Sequence, residues 1–281
     1  MIRIFIGALL AAAINCPVDA QQRNRATGPV IFYAAPNGSD IDNDCLSATN
    51  PCTPQAAHSV AMNNWDFAHQ SCLIQLADGT YTGGVSISGQ YVGTHLCDLL
   101  GRVDSQGNCI DRNAVVFNVP PGHVAFNVED GMIASIGCLT VTGGGVGFHG
   151  RQFVIFDIVD VDCGRLSVCI SGSLNTVVNT VGEIWISGDQ DTFAAAVLGS
   201  QFLLNAQVVA KAPVTVTNLF LSYDKSHIEL SGKPIVNPDF LAGSVCIASK
   251  MGTISKNGTA LPCHEGGSGT PQQGNDGRIY D

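Results

Sequence analysis

One stretch of this chain spaces its apolar residues for a helix, and nearly everything after it alternates them as strands do. The helical stretch opens on Thr53, a good N-cap, with Pro54 at the first helical position. Ala56, Ala57, Val60, Ala61, Trp65 and Ala68 then recur at helical spacing. This predicts a helix over about 54–70, with Trp65 as the heavy anchor of a core-facing stripe. His58 and His69 flank it and read as surface residues. Ahead of the helix, Val30-Ile31-Phe32-Tyr33 is a short strand-forming run ended by Pro36-Asn37-Gly38.

After Cys72 the period changes to two and stays there. Short β-rich runs are separated by Gly, Asn or Asp, among them Val115-Val116-Phe117, Val124-Ala125-Phe126, Leu139-Thr140-Val141, Glu183-Ile184-Trp185-Ile186 and Ile228-Glu229-Leu230. Sandwiches and barrels use such strands too. Here, however, the segments His123 to Val141, Val146 to Asp162, Ser167 to Ile186, Thr192 to Val209 and Val214 to Ile235 can be laid beneath one another. Their step is roughly 20–25 residues, a solenoid period. Each holds two or three apolar strands between tight polar corners. Without helices, that repeat points to an all-β solenoid whose coils bury their inward side chains only against their neighbours.

The opening of this region carries a family likeness. Phe32-Tyr33-Ala34-Ala35-Pro36-Asn37-Gly38-Ser39-Asp40, then Pro51-Cys52-Thr53 and the helix, then Ala77-Asp78-Gly79-Thr80-Tyr81 resembles the start of pectin-lyase-like proteins. Ile136-Gly137-Cys138-Leu139-Thr140-Val141-Thr142-Gly143-Gly144 is similar to a recurrent coil motif of that family. The resemblance covers roughly residues 30–240. It implies a right-handed, single-stranded parallel β-helix with the N-terminal helix capping its open end. A cap is physically sensible there, because a bare solenoid end leaves unpaired strand edges open to aggregation. The domain is expected to span 21–263. Beyond it, Gly266-Gly267-Ser268-Gly269 and Pro271-Gln272-Gln273-Gly274 predict a flexible tail over 264–281.

The first twenty residues read as an export signal, with Arg3, an apolar stretch from Ile4 to Ile14 and the small-residue site Val18-Asp19-Ala20. Asn15 and Pro17 make Cys16 a poor fit to a lipoprotein anchor. The chain is therefore expected outside the cytoplasm, secreted or periplasmic, without a membrane span. The remaining ten cysteines are an even set, as disulfides in an exported chain require. Cys45/Cys52, Cys97/Cys109 and Cys246/Cys263 bracket turn-rich loops that suit local bridges, Cys163/Cys169 less so, and Cys72 and Cys138 fit buried thiols.

Charge narrows the partners. Lys and Arg number 13 against 23 acidic residues, a net charge of −10, which excludes a nucleic-acid groove built on clustered positive charge. Asp40, Asp42 and Asp44 have the spacing of a calcium loop but lack the glycine and distal glutamate of an EF-hand, so they read as an exposed turn. Asn37-Gly38-Ser39 and Asn257-Gly258-Thr259 match the glycosylation sequon.

Enzymes of the resembled family commonly cut acidic polysaccharides. Hydrolysis would need two carboxyl groups about 5–9.5 Å apart, and elimination would need Asp ligands for Ca²⁺ together with a base. The best acidic cluster is Asp157-Ile158-Val159-Asp160-Val161-Asp162. Asp160 and Asp162, two apart in a strand, are expected on one face with backbones roughly 6.6 Å apart. They are the candidate catalytic pair and the candidate Ca²⁺ ligands, with His149 and Arg151 upstream and Arg165 downstream as basic partners. The competing reading makes them the ordinary solvent side of a coil. The Asn-Thr-Asp, Asp-Asp and Gly-His-Gly elements of the family's polygalacturonases, and the Arg-x-Pro-x-x-Arg segment of its pectate lyases, are absent. Two functions follow as expectations: a glycan-binding or structural extracytoplasmic module, or a polysaccharide lyase or glycoside hydrolase acting on the solenoid flank.

Overall fold

The computed structural model describes residues 23–94, 97–262, 272–274 and 276–281. It is an all-β parallel solenoid of about eight turns with one α-helix. Strands one coil apart pair in parallel. The longer of its two main sheets begins at Val30–Ala34 and Cys72–Leu76 and runs through Ile133–Thr142, Ile155–Cys163 and Val177–Ile186 to Arg278–Tyr280. The second stacks Val85–Ile87, Val124–Glu129, Val146–Arg151, Leu166–Ser173, Gln190–Val197, Val214–Tyr223, Val245–Ser249 and Gln272–Gly274.

Each central coil has three straight runs. The strand Ile133–Thr142 pairs with Asp98–Leu100 through its first half and with Val115–Asn118 through its second. Between the halves the backbone bends at a residue with left-handed φ. Cys138 (φ 53°), Asp160 (φ 52°) and Gly182 (φ 75°) hold that corner in successive coils. Aspartate tolerates the left-handed well because its short side chain bonds locally, and glycine because it has no Cβ. A second corner joins the two main sheets through left-handed residues beginning at Gln152, Leu174, Leu198, Asp224 and Lys250. These lie 22, 24, 26 and 26 residues apart, so the sequence period is the coil length.

Inward positions form continuous apolar stacks. Phe126 is in register with Val85 above and Phe148 below, and the rings of Tyr81, Phe117, Phe126 and Phe148 follow one another at centroid distances of 4.7, 4.5 and 5.3 Å. All four are buried.

The helix is shorter than its apolar spacing predicts, running Pro54–Asn64. Thr53 caps it as expected, its hydroxyl accepting from the Ala56 N–H. Trp65 ends it with extended backbone and packs edge-on against Phe32, while Ala68 and His69 adopt left-handed φ. The helix packs on Val30–Ala34, Cys72–Leu76 and Val85–Ile87, and the first and last of these are the terminal strands of the two sheets. His58, expected at the surface, is buried on that contact, with Nδ1 2.8 Å from the Tyr91 hydroxyl. His69 is exposed.

Among the described residues four disulfides lie between Cys45 and Cys169. Cys45–Cys52 and Cys163–Cys169 are local pairs. Cys72 pairs with Cys97 and Cys109 with Cys138, so neither Cys72 nor Cys138 is a thiol and Cys97 does not pair with Cys109. The reason is the coil. Leu73 is in register with Asp98, which brings Cys72 beside Cys97 one turn later, at a Cα separation of 4.6 Å. Cys246 is also disulfide-bonded, and its expected partner, Cys263, lies outside the described residues.

The expected export signal, residues 1–20, also lies outside the described residues, as does 263–271. The rest of the predicted tail includes two strands, Gln272–Gly274 on Ile247–Ser249 and Arg278–Tyr280 on Thr253–Ser255, which continue the two ladders. Gly, Gln and Pro content does not prevent pairing when a finished coil offers its edge. Among the described residues, no helix is long and apolar enough to cross a membrane.

Candidate functional site

The left-handed corner decides where the two candidate carboxylates go. Because Asp160 occupies that corner, the buried set of the strand shifts from Phe156 and Ile158 to Val161 and Cys163, and Asp160 and Asp162 both lie on the side of Arg112. Asp160 Oδ1 accepts from the Arg112 guanidinium at 2.7 Å and from the Glu183 N–H at 3.0 Å. The cation beside Asp160 is thus an arginine from a short helical turn, Arg112–Ala114, supplied by an earlier coil. Among the described residues, no group of three or more His, Cys, Asp or Glu side chains is arranged to hold a metal ion, at Asp160/Asp162 or in the Asp40–Asp44 turn. In that turn Asp40 instead accepts from the backbone and hydroxyl of Thr53, holding the helix start.

Arg112 organises a compact cluster. Its guanidinium also lies 3.5 Å from Glu183 Oε2 and stacks over Trp185, with Cζ 4.1 Å from the ring centroid. Trp185 donates its indole N–H to Glu183 Oε2 at 2.9 Å, and the Lys211 ammonium sits 3.7 Å from the same ring. A desolvated cation over indole is worth up to about 2 kcal/mol. The ladder places Thr140, Asp162, Trp185 and Val209 side by side in successive coils.

Asp162 is buried, 5% exposed, and its Oδ1 has no hydrogen-bond partner. Burial pushes its carboxyl above the ordinary range, partly offset by the Ser187 hydroxyl and the charges of Arg112 and Lys211. A raised acid stabilises the fold fully below its unfolded pKa, near 3.9, and that contribution is lost as pH rises through the folded value. The Asp162→Asn variant should therefore melt above the parent protein at pH 7–8, with the gap closing toward pH 3. A thermal-denaturation series across that range checks it. A parent protein as stable as the variant at pH 8 would show that Asp162 ionises without penalty.

His149 and Arg151 are not part of this cluster. They sit on Val146–Arg151, in the other main sheet. His149 Nδ1 lies 2.7 Å from the Ser171 hydroxyl, and burial lowers its pKa. Arg151 is exposed and in register with Glu129. Among the described residues, no hydrogen bond or ion pair joins either to Asp160 or Asp162. Arg112, Glu183, Trp185 and Lys211, which do meet there, carry no local motif. The only signal for Trp185 is its position one coil after Asp162.

A separate groove of about 860 Å³ opens along the corner where the longer sheet passes into the second. Five successive coils contribute to it. Asn118 pairs with Thr142, and the Gly143–Gly144 turn follows. A Cβ at Gly143 would collide with the Asn118 side chain and the Val119 backbone, so glycine keeps that end open. Leu166, Gln190 and Val216 then stand in register with their side chains buried. Strand alternation turns the residues on either side outward. These are Arg165 and Ser167, then Asp189 and Asp191, then Thr215 and Thr217, all on the groove wall. Asp189 Oδ1 accepts from the Thr215 N–H at 2.8 Å. Arg165, Asp189 and Asp191 are exposed and, among the described residues, make no ion pair.

No family model, no curated protein and no solved structure matches this chain.

Proposed function

We propose that this chain is an extracytoplasmic, right-handed, pectin-lyase-like β-helix module that holds a polysaccharide along its flank without cleaving it. The observation that carries the reading is the groove crossing five coils, walled by hydroxyl, amide and charged side chains. Coils stack at about 4.8 Å, so the four steps from Asn118 to Thr217 span about 19 Å. A linear polysaccharide advances by a comparable step per sugar ring, so each coil can offer the same kind of contact to the next ring. The four disulfides fit an oxidising compartment.

The carboxylates of the Arg112 cluster are not arranged for cleavage. Asp160 and Glu183 are both spent on Arg112, and Asp162 is buried. No exposed acid–base pair of the kind glycoside hydrolysis needs remains there.

A panel of acidic, neutral and amino-sugar polysaccharides in affinity gels, with products assayed in parallel, tests this. At least one polysaccharide should retard the folded chain, and a Thr215→Ala/Thr217→Ala variant should lose tenfold or more in affinity, a change of about 1.4 kcal/mol. No products should form. Retardation by nothing on the panel would overturn the reading. So would unsaturated products or new reducing ends that vanish in an Asp160→Ala/Asp162→Ala variant, which would establish a lyase or hydrolase instead.

A further inference from the structure

We infer that the groove selects a cationic amino-sugar polymer, one whose rings carry free amines, over polyuronates and over its own N-acetylated form. This rests on the groove being the polysaccharide site. Asp189 and Asp191 flank the buried Gln190, the first residue of the strand Gln190–Val197, so both project outward from the same coil, with backbones about 6.6 Å apart. Among the described residues, Asp189 is held by one oxygen only, on the Thr215 N–H, and the Asp191 carboxylate makes no hydrogen bond or ion pair.

In the Arg112 cluster Asp160 and Glu183 share an arginine. Here two carboxylates face the groove against the single charge of Arg165, in a chain of net charge −10. That field repels a polyanion and draws in a polycation. An ammonium between Asp189 and Asp191 would gain charge-assisted hydrogen bonds, while the hydroxyls of neighbouring rings would meet Thr215, Thr217 and Ser167.

Titration calorimetry with one oligosaccharide in two forms tests this, a glucosamine hexamer and its fully N-acetylated counterpart, at mildly acidic pH where the amines carry protons. The free-amine hexamer should bind at least tenfold tighter, with affinity falling as salt is raised. An Asp189→Asn/Asp191→Asn variant, with melting checked against the parent protein, should bind both forms alike. Equal affinity of the parent protein for the two hexamers, or preference for the acetylated one, would overturn the inference while leaving a neutral-glycan groove standing. Binding of polygalacturonate in place of either would overturn it as well. If neither hexamer nor any polysaccharide of the panel binds, the groove reading falls with it.

Discussion

Replacing Phe126 with alanine is expected to cost about 3–5 kcal/mol, the usual loss when a buried aromatic is truncated in a packed core. The side chain is fully buried, stacked between the rings of Phe117 and Phe148 at 4.5 and 5.3 Å. In a solenoid that cavity is lined by Phe117 across the same coil and by Val85 and Phe148 in the coils above and below, and the backbone ladders hold them at fixed spacing, so little collapse can fill it. For a chain of this size the loss corresponds to a fall of roughly 6–20 °C in melting temperature. Phe153 is the matched control. It sits on a left-handed corner, 71% exposed, and its replacement by alanine should change stability by no more than about 0.5 kcal/mol. Thermal denaturation of both variants checks the pair. Similar losses at the two sites would mean that the aromatic stack does not line the interior.

Removing Arg112 should cost nearly as much for a different reason. Its side chain is mostly buried and neutralises Asp160 while stacking on Trp185. Deleting one partner of a buried pair leaves the other charge uncompensated, typically at about 3–5 kcal/mol. Water reaches part of Asp160, which places the Arg112→Ala loss near 3 kcal/mol. The double variant Arg112→Ala/Asp160→Asn separates charge from packing. Asparagine keeps the left-handed corner and an acceptor for the Glu183 N–H but leaves no orphan charge. It should therefore recover a large part of the loss, giving a favourable coupling in a double-mutant cycle. A strictly additive cycle would show that Arg112 acts through its contact with Trp185 alone.

The solenoid was legible because its period is written in every coil. The corner residues from Gln152 to Lys250 recur at 22–26 residues, and inward positions alternate reliably within each strand. Alternation misled only where the backbone leaves the strand. At Asp160 a left-handed corner shifts the alternation, so two carboxylates two residues apart have different surroundings, one bonded to Arg112 and the other buried. Trp65 misled similarly, being apolar at helical spacing yet standing where the helix has already ended. Loop spacing gives no sign of Cys72–Cys97 and Cys109–Cys138, because the chain brings these residues together across a whole turn. The groove is the extreme case. Asn118, Thr142, Arg165, Asp189 and Thr215 are ordinary residues at steps of 23 to 26, and only coil registration makes them one wall. Arg112 enters its cluster from a short helical turn with no periodic counterpart, so no pattern could have pointed to it.

The most direct test of the account is hydrogen–deuterium exchange of the chain with and without the glucosamine hexamer. Binding across five coils predicts slowed exchange in short segments that are far apart in sequence, around 118–121, 142–144, 165–167, 189–191 and 215–217, all together and in the same titration range. The corners at 152–153, 174–175 and 224–225, between the other pair of strands, should be unchanged. Protection at those corners instead, or in a single segment of the five, would contradict the account.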